Sequence, residues 1–143
     1  MPTAAFNKFE PFIENAFEGV HNFQSDTFKF MLTNVAPVAT NGVKADLTEI
    51  AAGNGYTAGG AAVTVSASSQ TGGTYTATLT GNVVFTASGG NIASFRYAVL
   101  YNDTPASPLD PLVGFFDYGS SISPSAGETF TINSNGVNII SAS

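Results

Sequence analysis

Apolar and polar residues alternate most regularly over residues 93–102. Phe95, Tyr97, Val99 and Tyr101 fall on one face and Ala98 and Leu100 on the other, because strand side chains alternate with period two. Arg96, the only arginine in the chain, is the one break. A strand apolar on both faces belongs in the middle of a sheet, with material packed above and below it. Residues 27–33 alternate Phe28, Phe30 and Leu32 against Thr27, Lys29 and Met31, a half-buried strand in which Lys29 reads as an edge marker. From residue 61 onward the pattern is all-β. Val63, Val65 and Ala67 alternate, as do Tyr75, Ala77 and Leu79, and residues 83–85, 112–118, 130–132 and 137–140 follow with Gly- and Asn-rich turns between them. Prolines 105, 108 and 111 mark a loop, since proline donates no ladder hydrogen bond.

The period changes near the start. Phe6, Phe9, Ile13, Phe17 and Val20 recur at helical spacing and predict an apolar helix stripe that ends at Gly19. Two starts fit: an Asn7/Glu10 capping box, or Pro11 at the first helical position. The stripe reads as packing on the chain's own sheet, or as an arm that docks on a neighbouring subunit. Asp46 and Glu49 have capping-box spacing, which predicts a second short helix over 45–52, stopped by Gly53. Residues 53–60 then form a glycine-rich connection. About eight short strands at regular spacing predict a mainly β fold, an antiparallel, jelly-roll-like β-sandwich with a short N-terminal helix and one further short helix. The 143 residues form a single domain, with an N-terminal helix or arm over 1–23 and the sandwich over 24–143.

Composition narrows the function. Only 10% of residues are charged, against about 25% in ordinary soluble domains. The net charge is -6, and the few cations are scattered, so no basic patch collects phosphates and nucleic acid is not an expected partner. With no cysteine, neither a disulfide framework nor a thiolate metal site exists. The first residues lack the features of a signal peptide, and no apolar run reaches the ~20 residues of a membrane span. The expectation is folding in a cytoplasm with no membrane partner.

Candidate chemistry is sparse. His21 is the only histidine and sits just past a helix end, where an imidazole often satisfies terminal carbonyls. Asp103, Asp110, Asp117 and Glu128 are the carboxylates that a hydrolase would need to pair. Asp117 lies among aromatics, reads as buried, and is the expected partner of Arg96 in a structural ion pair. Asp103 with Asn102 or Asp110 is a weak calcium candidate without EF-hand spacing. The glycine-rich connection lacks a P-loop lysine. Tyr56, Tyr75, Tyr97, Tyr101 and Tyr118 keep a glycan-stacking role open. No catalytic residue, cofactor or metal is expected.

At Asp26-Thr27-Phe28-Lys29, Ala45-Asp46-Leu47-Thr48-Glu49-Ile50, Gly53-Asn54-Gly55-Tyr56-Thr57-Ala58-Gly59-Gly60 and Tyr97-Ala98-Val99-Leu100-Tyr101-Asn102-Asp103-Thr104-Pro105 the chain resembles a family of small virion structural proteins of tailed bacteriophages. The later Gly114-Phe115-Phe116-Asp117-Tyr118-Gly119 fits the same pattern. The resemblance covers nearly the whole chain and supplies no catalytic residues. It implies a capsid decoration or cement protein on the outer virion surface, assembled in the host bacterial cytoplasm. The partners would be the major capsid protein and the protein itself, as a dimer or trimer. The alternative is a tail or head-fibre component with a receptor- or glycan-binding role. Expected contacts come from the N-terminal segment, the 34–44 loop and the glycine-rich loop, with Phe6, Phe9, Phe12, Val38 and Tyr56 as candidate anchors.

Overall fold

The computed structural model of the protein describes residues 4–143. Residues 1–3, which open the expected arm and begin the stretch read for a leader, lie outside the described residues. The elements run β1 (Phe6–Lys8), α1 (Glu10–Phe17), β2 (Phe28–Thr33), β3 (Ala61–Thr71), β4 (Thr74–Thr80), β5 (Val83–Thr86), β6 (Phe95–Asn102), β7 (Leu112–Ile122), β8 (Thr129–Ile132) and β9 (Asn138–Ala142). One turn of 3-10 helix covers Lys44–Asp46. Seven strands pair in the order β1-β7-β6-β2-β3-β4-β9, all antiparallel, and the sheet curls into a nearly closed barrel. β5 and β8 form a separate ribbon whose Val83, Phe85, Phe130 and Ile132 join the barrel's interior cluster. The fold is mainly β and antiparallel, as expected, with a two-stranded ribbon as the second layer.

The 93–102 pattern is realised as β6, which lies between β2 and β7. Ala98 and Leu100 enter the interior cluster with Phe30 and Leu32, while Val99 and Tyr101 pack outside with Phe9, Met31 and Leu112. Phe95 leaves its expected face and joins the interior, where its ring meets Phe130 edge-on at 4.8 Å. The β6–β7 register shifts between Phe95 and Tyr97, and such irregularities re-aim side chains locally. Lys29 does not mark an edge. β2 is flanked by β6 and β3, and Lys29 is neutralised there by Asp103 at 2.9 Å.

The N-terminal stripe is divided between two elements. Phe6 lies in β1, opposite Phe116 of β7, and Phe9 is the N-cap of a helix with Pro11 in its first turn. Neither expected start is formed: Glu10 is the first helical residue, Pro11 the second, and no side chain caps the helix. Phe12 is the buried residue of α1, at 1% exposure, whereas Ile13 and Phe17 face outward. Residues 6–9 thus belong to the sheet and the outer cluster rather than to a detachable arm. After α1 the chain enters the barrel again through Phe23, whose ring stacks on Phe28 at 5.7 Å and 11°. The free edges of the sheet are β1 and β9. The turn that leaves α1 lies against the β9 side, where Ala16, Phe17, Gly19 and residues 21–24 line a groove together with Tyr75, Ile140 and Ala142.

The expected 45–52 helix stops after one turn. Asp46 turns its carboxylate back onto the Gly42 and Val43 N–H groups, at 2.9 and 3.1 Å. Leu47 is already extended, and Glu49 bridges to Thr33 beside β2. The carboxylates are engaged in a tight turn and in tertiary contacts, so the capping-box spacing starts no longer helix. In the β3–β4 hairpin, Gly72 and Gly73 both take positive φ, as the favoured two-residue hairpin turn requires. Gly60 also has positive φ, and a Cβ there would collide with the Phe30 carbonyl. That close approach lays the glycine-rich connection on β2.

Candidate interaction surface

Four polar clusters hold most of the chain's charge, and each is explained by its contacts. Arg96 and Asp117 form the expected pair, bidentate at 2.8 Å (Nε to Oδ1) and 3.0 Å (Nη2 to Oδ2). It is not buried: the two side chains remain 39% and 35% exposed. β6 and β7 run side by side here, so Arg96 reaches across one strand spacing on the outside, with its guanidinium 5.3 Å from the Tyr97 ring. The Arg96 hydrogen bonds hold the Asp117 carboxyl below its ordinary range, and the Gly119 N–H adds to them.

His21 packs among Phe12, Phe23 and Phe28. Its Nδ1 lies 3.0 Å from the Asn102 side-chain amide, which also donates to Asp26 at 2.7 Å. The Asn102 carbonyl oxygen accepts the Thr104 N–H. That fixes the amide orientation and places the imidazole proton on Nε2, which has no hydrogen-bond partner among the described residues. Burial pushes His21 down to about 4, against a smaller upward pull from Asp26. The ring therefore ties the exit of α1 to the end of β6, instead of capping the helix carbonyls.

Glu49 accepts from the Tyr56 hydroxyl at 2.7 Å, the Gly59 N–H at 2.6 Å and Lys44 Nζ at 3.1 Å. Burial raises the Glu49 carboxyl, but these three donors outweigh it and hold the group below its ordinary range. Tyr56 in turn accepts the Leu32 N–H at 3.1 Å, and Tyr101 donates to the Gly59 carbonyl at 2.6 Å. This cluster locks residues 43–60 onto the sheet. Burial, then the adjacent Asp103 carboxylate, raises Asp110, so of the four candidate carboxylates only Asp103 and Asp110 meet. Asp103 is engaged by Lys29, and Glu128 accepts the Ser125 N–H in its own turn. Among the described residues no group of three or more His, Cys, Asp or Glu is placed to hold a metal.

The candidate anchors separate sharply. Phe9, Phe12 and Tyr56 are buried within the chain at 2%, 1% and 2% exposure, and Phe6 is half-buried against Phe116. They stabilise this fold and are not presented outward. Val38 is exposed. The five tyrosines are all buried or half-buried, so none offers an open stacking platform.

The residue that sequence reasoning misplaced is Phe17. Of the twelve phenylalanines, it alone is exposed among the described residues, at 72%. Ile13, one turn earlier, is 47% exposed. Beside them Glu10, Glu14 and Glu18 repeat at four-residue spacing, all exposed, and residues four apart share a helix face. None of the three is in a salt bridge among the described residues; the ion pairs are Lys29–Asp103, Lys44–Glu49 and Arg96–Asp117. The outer face of α1 is therefore an apolar pair flanked by an acidic row. No helix among the described residues is long and apolar enough to cross a membrane. No protein-family model, curated protein or solved structure matches the chain.

Proposed function

We propose that the protein is a non-enzymatic structural component of a tailed-phage virion, bound to the outer surface of the assembled capsid and stabilising it. The motif resemblance from residue 26 to residue 119 suggests the class, and the exposed Phe17 carries the docking role. Phe17, 72% exposed, and Ile13, 47% exposed, lie one turn apart on α1 and together form contiguous apolar surface of the kind that marks association sites. The negative net charge favours the outer surface over one facing packaged nucleic acid. The mechanism is mass action: a subunit that binds only the expanded shell stabilises that state by its binding free energy. Counting copies per particle by quantitative mass spectrometry of virions containing this chain tests the reading. Hundreds of copies are expected; a few dozen or fewer would assign the protein to a tail or fibre.

A further inference from the structure

We infer that the groove between α1 and β9 receives a basic, apolar-tipped segment of a different protein, with Phe17 as its main anchor. This rests on the proposed function, under which that protein is a capsid subunit. The groove has a volume of about 550 Å³ and is lined by Phe17, Phe23, Tyr75 and Ile140, with His21, Asn22, Gln24 and Ser68 as its polar members. One wall is an edge strand, since β9 pairs with β4 alone. The other wall is the end of α1 and the turn that follows it, and Phe17 stands at the rim, both lining the groove and open to solvent.

Charge decides the occupant. Glu14 and Glu18 flank Phe17, and Glu10 extends the row along the helix. The chain has four cations, of which Lys29, Lys44 and Arg96 are committed to Asp103, Glu49 and Asp117. Lys8 is thus the one described cation outside an ion pair. A second copy brings one uncommitted cation, Lys8, against three glutamates, and two α1 helices brought face to face would set glutamates against glutamates. Nucleic acid and anionic lipid surfaces carry the same wrong sign. The fitting partner presents lysine or arginine next to an apolar side chain, an arrangement that fixes register by charge and anchors by burial.

The test is co-sedimentation of the purified full-length protein with expanded shells that lack it. Wild-type protein should bind, and binding should weaken as salt rises from about 0.05 to about 0.5 M, where screening shortens to a few ångströms. Phe17→Ala and the double variant Glu14→Lys/Glu18→Lys should each weaken binding by about tenfold or more, a loss of order 1.4 kcal/mol or greater. Both variants alter only exposed groups, and thermal melts matching wild type confirm their folding. Val84→Ala, which trims an exposed side chain on β5, should bind within about twofold of wild type. Wild-type binding with both α1 variants unchanged overturns this inference and leaves the capsid role standing. Failure of the wild type to bind overturns both.

Discussion

The two faces of α1 carry similar side chains and meet opposite fates. Inward, Phe12 is fully buried with Phe23 and His21 around it, and Ala16 packs on the same cluster. Outward, Ile13 and Phe17 remain in solvent beside three glutamates. Burying an apolar side chain stabilises by about 1.5–3 kcal/mol, so the inner face holds the helix on the barrel. The outer face leaves that gain unrealised in the free chain. Under the proposed function one short helix would act as both a strut and a docking edge, with the two roles separated by residue.

The largest expected effect comes from breaking the strut. Phe12→Ala should cost about 3–5 kcal/mol, as truncating a buried phenylalanine does, read as a lower urea midpoint. Phe17→Ala should leave the same midpoint nearly unchanged. Equal losses for the two variants would erase the distinction between the faces.

The next effect follows pH. His21 is buried neutral, at about 4 in the folded chain against 6.5 when free. Above pH 6.5 the ring is neutral in both states and its full contribution is present. Between 6.5 and about 4 the unfolded chain takes up the proton first, so stability falls as pH falls. Linkage puts the loss at about 3 kcal/mol by pH 4. Carboxylates begin to titrate in the lower part of the same window, so the readout is the difference between wild type and His21→Phe. The variant should show a flatter midpoint between pH 6.5 and 4.5, and parallel curves would contradict a buried neutral histidine. Asn102, whose side-chain amide donates to Nδ1, should lose that hydrogen bond once the ring is protonated.

The smallest effect is expected at Arg96 and Asp117. Exposed ion pairs are screened by water and salt, so Arg96→Gln should lower the midpoint slightly and only at low ionic strength. A large, salt-independent loss would show that the pair is a core element after all.

Most of the β architecture was legible in the sequence because alternation reports directly on which face is buried. β6 followed its pattern except at Phe95, β2 formed where it was expected but is buried on both faces between β3 and β6, and the two-glycine hairpin fell where its turn chemistry placed it. The helix was harder. Two apolar stripes run through residues 9–17 one position apart: Phe9, Phe12, Ala16 and Phe9, Ile13, Phe17. Helical spacing cannot decide which faces inward; the β1–β7 pairing does, because it fixes how the chain enters α1. The glutamate row at 10, 14 and 18 was the available signal, since an acidic stripe at four-residue spacing belongs to the solvent side. Arg96 was correctly paired but wrongly buried. Its neighbours on β6 are core residues, yet the guanidinium extends along the outside of the barrel to β7, and a sequence does not show where a sheet's outer face ends.

Under the proposed function the partner should meet the outer face of α1 and the groove it shares with β9, and not the β5 side of the molecule. Hydroxyl-radical footprinting of free and shell-bound protein tests it most directly, because Phe17 and Ile13 are reactive side chains standing in solvent. On binding, labelling of Phe17 and Ile13 should fall several-fold while Val84 is labelled as before. Unchanged labelling of Phe17, with protection appearing at Val84 instead, would contradict the account.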